Sequence, residues 1–394
     1  MAGQLERDLA ANAAGSAGDE DDGAGIHGSY NGWVADAQSD SLSTLLRRRI
    51  QADDGWWPFD RFMAAALYEP GRGYYARGTR LFGAMPASGS DFVTAPELSP
   101  FFGAALARQL VQALDACEAG EIFEFGAGSG ALAAQLLGAL GDRVRRYSIV
   151  DLSGALRARQ AERLAPWAER VRWLDAWPDA MHGVIVGNEV LDAMPVQLLH
   201  WDGTQWFERG VAVAGEAFAW ADRPTQLQPP VDGPFVPGTV TEIHPQAEAF
   251  VRTLATRLQR GAAFFVDYGF PQREYYHPQR HGGTLMCHRA HRADADPLAD
   301  VGEKDITAHV DFSGLALAAQ DAGLDVVGYT SQAHFLLNCG FAGLLEGAGL
   351  RERNAAARLV HEHEMGELFK VIGFARGLDF EPVGFAAGDR SHTL

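Results

Sequence analysis

Residues 121–137, EIFEFGAGSGALAAQLL, constrain the fold more than any other stretch. An apolar run is followed by three glycines at alternate positions, Gly126, Gly128 and Gly130, and then by an amphipathic run. A glycine turn between a strand and a helix lets the backbone approach a ligand closely and aims the helix N-terminus at it. The pattern then repeats: RYSIVD, VRWLD and GVIVGNEV read as short strands, with SGALRARQAERLA as a helix between the first two. It resumes further on with helix PQAEAFVRTLATRLQRG, strand AAFFVDYG, helix FSGLALAAQDAGL and strands DVVGYTS and ELFKVIGFARG. Short buried strands alternating with helices predict an α/β fold with a mostly parallel sheet flanked by helices, here over residues 119–380.

Four segments stand outside this rhythm. Residues 1–40 are rich in Ala, Gly, Ser and Asp and are expected to be disordered. Residues 41–118 read as a helical cap region, because SLSTLLRRRIQ and PFDRFMAAALY carry apolar residues at helical spacing and Pro58 suits a first helical turn. QLLHWDGTQWFERGVAVAG reads as a hairpin turning at Asp202-Gly203, within an insertion of about residues 196–240. Residues 271–310 have no clear period and are expected to form a lid or substrate segment. Beyond the α/β region, residues 381–394 are expected to be a C-terminal tail.

Charge narrows the ligand classes. Residues 1–40 hold eight acids and one base, so the rest of the chain keeps −11 of the total −18. Such a body is a poor match for nucleic acid and suits a small molecule or a basic, arginine-containing protein segment. No run of about 18 apolar residues occurs, so membrane insertion is not expected. Three widely spaced cysteines, and a start that lacks an apolar core and is acidic, predict reduced thiols and a cytoplasmic location.

Two ligands compete for the glycine turn. Gly126-x-Gly128-x-x-Ala131 fits the dinucleotide fingerprint, so a nicotinamide-dependent oxidoreductase is one reading. No GxxxxGK[ST] occurs, which removes a Walker-type phosphate loop. Glu124, two residues before Gly126, favours S-adenosyl-L-methionine. Its carboxylate suits a cationic amino group and sulfonium and would repel a pyrophosphate. Asp151 ends the next strand, where an acid can accept from both ribose hydroxyls, a feature both ligands share. Asp175 ends the third strand, where it could accept from adenine N6.

The fourth strand runs into GNEVLDAMPVQ, residues 187–197. Its carboxyl end faces the ligand crevice of an open α/β sheet, so Asn188, Glu189 and Asp192 are candidate catalytic residues. Glu189 and Asp192 are three apart; on one helical turn they would share a face and could grip a guanidinium. The plainer alternative is a capped turn in which Asn188 and Asp192 satisfy backbone groups. Asp267 and Tyr268, ending the fifth strand, could line the same crevice or simply form a strand-end turn.

Further stretches carry a family resemblance: YEPGRGYYA (68–76), SGSDFVTAPELSPFFG (88–103), EFGAGSG (124–130), GNEVLDAMPVQ, EIHPQA (242–247), FFVDYG (264–269) and DITAHVDFS (305–313). In this order, over about residues 45–375, they resemble the MidA-like family of S-adenosylmethionine-dependent methyltransferases. That family includes the mitochondrial arginine methyltransferase that assists respiratory complex I assembly. The resemblance implies a class I methyltransferase (Rossmann-like) fold, S-adenosylmethionine as donor and protein arginine as acceptor. It puts Glu124, Gly126, Ala127, Gly128, Gly130, Asp151, Leu152, Asp175, Ala176 and Asn188 in the cofactor site. It folds Thr94, Pro96 and Glu97 over that site and sets Asn188, Glu189 and Asp192 at the methyl-transfer face. The family's second-strand acid is often Glu; here it is Asp151. HEHEMGE (361–367) and CHRAH (287–291) match neither HExxH nor a CxxC pair, so no metal is expected. A third function class, a cofactor-binding assembly factor without turnover, uses the same residues.

Overall fold

The computed structural model describes residues 41–77, 93–151, 154–289 and 291–394. The expected disorder of residues 1–40 and the cofactor role of Leu152 therefore lie outside the described residues. Helix α1 (Leu42–Ala52) starts where the Ser41 hydroxyl accepts from the Thr44 N–H, and it buries Leu42, Leu46 and Ile50 one turn apart. Pro58 immediately precedes helix α2 (Phe59–Tyr68), as the sequence suggests. The three residues before that helix, however, form strand β1 (Trp56–Pro58). A short helix α3 (Ala95–Leu98) leads into the long α4 (Phe101–Cys117).

The α/β rhythm then follows in order. It runs β2 (Glu121–Phe125), α5 (Ala131–Leu140), β3 (Arg146–Val150), α6 (Gly154–Arg163), β4 (Val171–Leu174) and β5 (Met181–Asn188). Three strands follow, β6 (Gln197–Trp201), β7 (Trp206–Ala214) and β8 (Ala217–Pro224), then β9 (Val240–Ile243) and α7 (Pro245–Arg257). The long β10 (Leu258–Phe270) begins at Leu258, so LQRG belongs to it and not to the preceding helix. After α8 (Gln272–Tyr275) come β11 (Met286–Arg289), β12 (Arg292–Asp294), β13 (Asp305–Thr307) and β14 (Val310–Asp311). Helix α9 (Phe312–Asp321), β15 (Asp325–Ser331) and β16 (Phe369–Arg376) complete the main sheet.

That sheet has the order β15-β16-β10-β5-β2-β3-β4, with β14 pairing beside β10. Strands β4, β3, β2, β5 and β10 run parallel, and β16 is inserted antiparallel to β10 and β15. This is the Rossmann-like arrangement of class I methyltransferases. Period-two alternation divides its core. Ile122, Val184, Val186, Phe264 and Val266 pack on one face against α4 and α5. Phe123, Phe125, Ile185 and Phe265 pack on the other against α7 and α9. Switching of the strand order at β2 and β5 opens the crevice at their carboxyl ends.

A second body of structure joins three segments that look separate in the sequence. Strands β6, β7 and β9 form an antiparallel sheet that recruits β1 from the N-terminal region, and β8 adds to β7 as a third strand of the insertion. Residues 271–310 are not an aperiodic loop: β12, β11 and β13 make a three-stranded sheet. Strands of three or four residues are too short to show a period, which is why the sequence hid them. Leu46, Ile50, Trp57, Phe62, Leu198, Val211, Cys287 and Ile306 share one core. The C-terminal stretch is also packed: Phe385 is buried, the Tyr329 N–H donates to Asp389, and Arg390 pairs with Glu367.

Candidate functional site

The crevice is built from four strand ends. After β2, Gly126, Gly128 and Gly130 all take positive φ, at 65°, 53° and 79°. A β-carbon on Gly126 would also meet Val190 Cγ2 at 2.9 Å, so the turn needs glycine there twice over. Ala127 is buried beneath the turn. Helix α5 opens on Gly130 without a side-chain cap.

Glu124 lies under the turn and is 2% exposed. The Tyr147 hydroxyl donates to its Oε2 at 2.8 Å. Burial pushes this carboxyl up to about 8, against the pull of the Tyr147 bond and with help from Asp151. Asp151, at the end of β3, is also buried, and Gln160 Nε2 donates to its Oδ2 at 2.7 Å. The same amide donates to the Gly128 carbonyl at 2.9 Å, so Gln160 ties the acid to the glycine turn. Asp175 and Ala176, after β4, are exposed. Arg157 donates to the Asp175 carboxylate at 2.5 Å and to the carbonyls of Asp151 and Leu174, bracing the two strand ends. Gln160 and Arg157 carry no motif; only their helical position facing Asp151 could have pointed to them.

The segment 94–97 does reach the glycine turn. Glu97 accepts from the Ser129 hydroxyl and from Arg163 at 2.6 Å, and Arg163 also donates to Ser129 at 2.7 Å. Burial pushes Glu97 up, but Arg163 and Ser129 outweigh it and hold the carboxyl below its ordinary range. The Pro96 carbonyl accepts from Gln135 of α5 at 2.6 Å, and Thr94 precedes α3 without capping it.

The exit of β5 carries the acids. Glu189 has φ 52°, so it and Asp192 lie on a turn and not on one helical face. The turn's N–H groups are satisfied by Asp267: its Oδ2 accepts from Val190, Leu191 and Asp192 at 3.2, 2.9 and 3.3 Å. The capping that could have been assigned to Asn188 and Asp192 is thus done from β10, and those two are left for other work. Asn188 Nδ2 donates to Glu189 Oε1 at 2.9 Å, while Asn188 Oδ1 is buried without a partner. Tyr268 donates to Asp192 Oδ2 at 2.5 Å. Burial, then Asp192, pushes Glu189 up to about 8; burial pushes Asp192 up to about 6 against the Tyr268 bond.

The second body closes this end of the crevice. Tyr68 of α2 donates to the Ala193 carbonyl at 2.8 Å, and its ring stacks on Tyr75 at 5.7 Å. Tyr75 donates to Asp305 of β13 at 2.8 Å, and Ala308 N–H donates to the Asp192 carbonyl at 3.0 Å. Tyr68 and Asp305 were not among the candidates read from sequence. YEPGRGYYA and DITAHVDFS, the stretches that hold them, were the available signal.

These residues fit S-adenosylmethionine. Two buried acids, Glu124 and Asp151, flank the glycine turn, placed to accept from an amino group and from ribose hydroxyls. The unpartnered Asn188 Oδ1 offers an acceptor to a ligand N–H. Among the described residues no group of three or more His, Cys, Asp or Glu is arranged to hold a metal ion, and no helix is long and apolar enough to cross a membrane.

Comparison with known proteins gives a consistent picture. Residues 105–330 match the S-adenosyl-L-methionine-dependent methyltransferase family Methyltransf_28. A Burkholderia thailandensis protein crystallised with S-adenosyl-homocysteine is 52% identical, with a TM-score of 0.87 over 91% of this chain and 97% of that one. Among curated proteins, the zebrafish (Danio rerio) protein arginine methyltransferase NDUFAF7, mitochondrial, is 26% identical over 77% of this chain and 78% of its own. The Caenorhabditis elegans homologue of that protein is 24% identical over 90% of this chain and 93% of its own. The family match spans the glycine turn, the strand-end acids and the β5 exit, and this chain belongs to the S-adenosyl-L-methionine-dependent methyltransferases of the Methyltransf_28 family.

Proposed function

We propose that the methyl acceptor is the guanidinium of a protein arginine. One observation carries the reading: Asp192 is buried and Glu189 half-buried beside it at the crevice, with no Lys or Arg bound to either among the described residues. Two carboxylates held in this way are a site for a cation that the chain itself does not supply. The printed names of the curated relatives, protein arginine methyltransferases, support the same acceptor.

The chemistry follows from these groups. S-adenosylmethionine, when bound, supplies a methyl group on a cationic sulfur, open to in-line displacement. Glu124, Asp151, Asn188 and the glycine turn would hold that cofactor, and Glu97 keeps the turn in place through Ser129. A guanidinium stays protonated at neutral pH, so its nitrogen must be oriented and relieved of a proton as it attacks. Glu189 does both, with Asn188 fixing its carboxylate. Asp192, held by Tyr268, balances the remaining positive charge. Tyr68 and Tyr75 offer aromatic faces to the cation, and Asp305 sets Tyr75.

The family resemblance extends this proposal to a role in respiratory complex I assembly. A cytoplasmic location is also proposed, supported by three buried free thiols; the curated relatives carry "mitochondrial" in their names, and fractionation of cells expressing the full chain decides. The acceptor is tested with labelled S-adenosylmethionine, an arginine-glycine peptide and its lysine counterpart. Label in the arginine peptide alone, lost in Glu189→Gln, is expected. Equal labelling of both peptides, or an unimpaired Glu189→Gln enzyme, contradicts the proposal.

A further inference from the structure

Asp267 is fully buried, and among the described residues its four hydrogen bonds all come from backbone N–H groups. Oδ2 gathers those of Val190, Leu191 and Asp192, and Oδ1 accepts from Tyr268 at 3.0 Å. One carboxylate oxygen therefore pins the whole turn between Glu189 and Asp192. Glu189 enters that turn with φ 52°, a conformation disfavoured for a residue with a side chain, and its own N–H donates to the Val266 carbonyl at 2.9 Å. The neighbouring Tyr268 fixes Asp192 by its side chain. Two successive residues of β10 thus hold, one by backbone and one by side chain, the two acids of the β5 exit.

Asn has a single acceptor oxygen, so in this place it would keep the Oδ2 contacts only by turning its NH2 group towards the Tyr268 N–H. A side chain with two acceptor oxygens is thus built into this strand end, which points to a use for the turn it fixes. We propose that Asp267 and Tyr268 are positioning residues for methyl transfer: Asp267 fixes the Glu189 turn, and Tyr268 fixes Asp192. This rests on the acceptor reading above. The groups facing Glu189 are Asp192 and Asn188 on its own turn, Asp267 of β10, Asp305 of β13 and the Ala95 N–H of α3. Burial, then Asp192 and Glu189, pushes Asp267 up; burial, then Asp192, pushes Glu189 up, so a turn that loosens exposes the Glu189 carboxyl and lowers it.

The test uses Asp267→Asn and Tyr268→Phe in the full chain. The readouts are kcat and KM on an arginine-glycine peptide, S-adenosyl-homocysteine affinity, and Glu189 titration by NMR of carboxyl-labelled glutamate, assigned by Glu189→Gln. In Asp267→Asn, kcat falls about ten-fold or more. Cofactor affinity stays within about two-fold, and Glu189 titrates at lower pH. In Tyr268→Phe, which keeps every backbone contact, kcat falls several-fold and KM rises, again with cofactor affinity kept. Wild-type kcat with an unmoved Glu189 titration in both variants overturns the proposal, and so does an equal loss of cofactor affinity in both. If Asp267→Asn does not fold, Tyr268→Phe decides alone by the same readouts. An active Glu189→Gln enzyme overturns the acceptor reading instead, so the two failures are distinguishable.

Discussion

Binding of an arginine side chain should release a proton from this protein, and the amount follows from the two acids at the β5 exit. Glu189 is pushed up to about 8 by burial and by Asp192, and Asp192 up to about 6 by burial. At pH 7, then, about nine-tenths of Glu189 and about one-tenth of Asp192 carry a proton. A guanidinium seated against both as carboxylates displaces about one proton in total. The same arithmetic makes peptide Kd rise about ten- to twenty-fold between pH 7 and pH 6, or about 1.6 kcal/mol. The assay is titration calorimetry of an arginine-glycine peptide into the protein saturated with S-adenosyl-homocysteine. Running it in buffers of different ionisation enthalpy counts the protons. Glu189→Gln should remove most of the release and flatten the pH dependence. Tight binding with no proton release and a flat Kd from pH 6 to 8 would refute the reasoning.

Other perturbations separate the cofactor half of the crevice from the acceptor half. Gly128→Val should abolish S-adenosyl-homocysteine binding, because Gly128 has φ 53° on the ligand side of the turn; unchanged affinity in calorimetry would place the site elsewhere. Glu97→Ala should weaken cofactor binding about ten-fold while leaving the melting temperature nearly unchanged, since it unties Ser129 and Arg163 from α3. Glu124 predicts a stability trend. Its folded-state value, about 8, lies above the ordinary carboxylate value, so the native state holds the proton more tightly. That stability is full below about pH 4.5 and is lost as pH rises through about 8. The melting temperature of the cofactor-free protein should therefore fall across this window, and a Glu124→Gln variant should fall less.

Much of the α/β core is legible because buried parallel strands read as contiguous apolar runs, such as EIFEF and GVIVG, bounded by turn residues. The acids at strand ends are legible for the same reason: once EIFEF is a strand, Glu124 and the glycines must sit at its carboxyl end. The second body is not legible. Tyr75 and Asp305 are 230 residues apart yet share a hydrogen bond, and no local period reports a contact of that range. Pro58 signals the helix it precedes and conceals that Trp56 and Trp57 pair with β7. Asp267 was legible as a strand-end acid, but its grip on the β5 exit was not, because three backbone N–H groups meet on its oxygen from a turn some 75 residues earlier in the chain.

The central claim, transfer of methyl to a guanidinium, is tested most directly by identifying the methylated amino acid. The purified protein would be incubated with methyl-labelled S-adenosylmethionine and a total protein extract, and the labelled product hydrolysed and resolved. The account predicts label in methylarginine, absent with Glu189→Gln. Label in methyl-lysine, methyl-glutamine or a base-labile ester, with none in methylarginine, would contradict it.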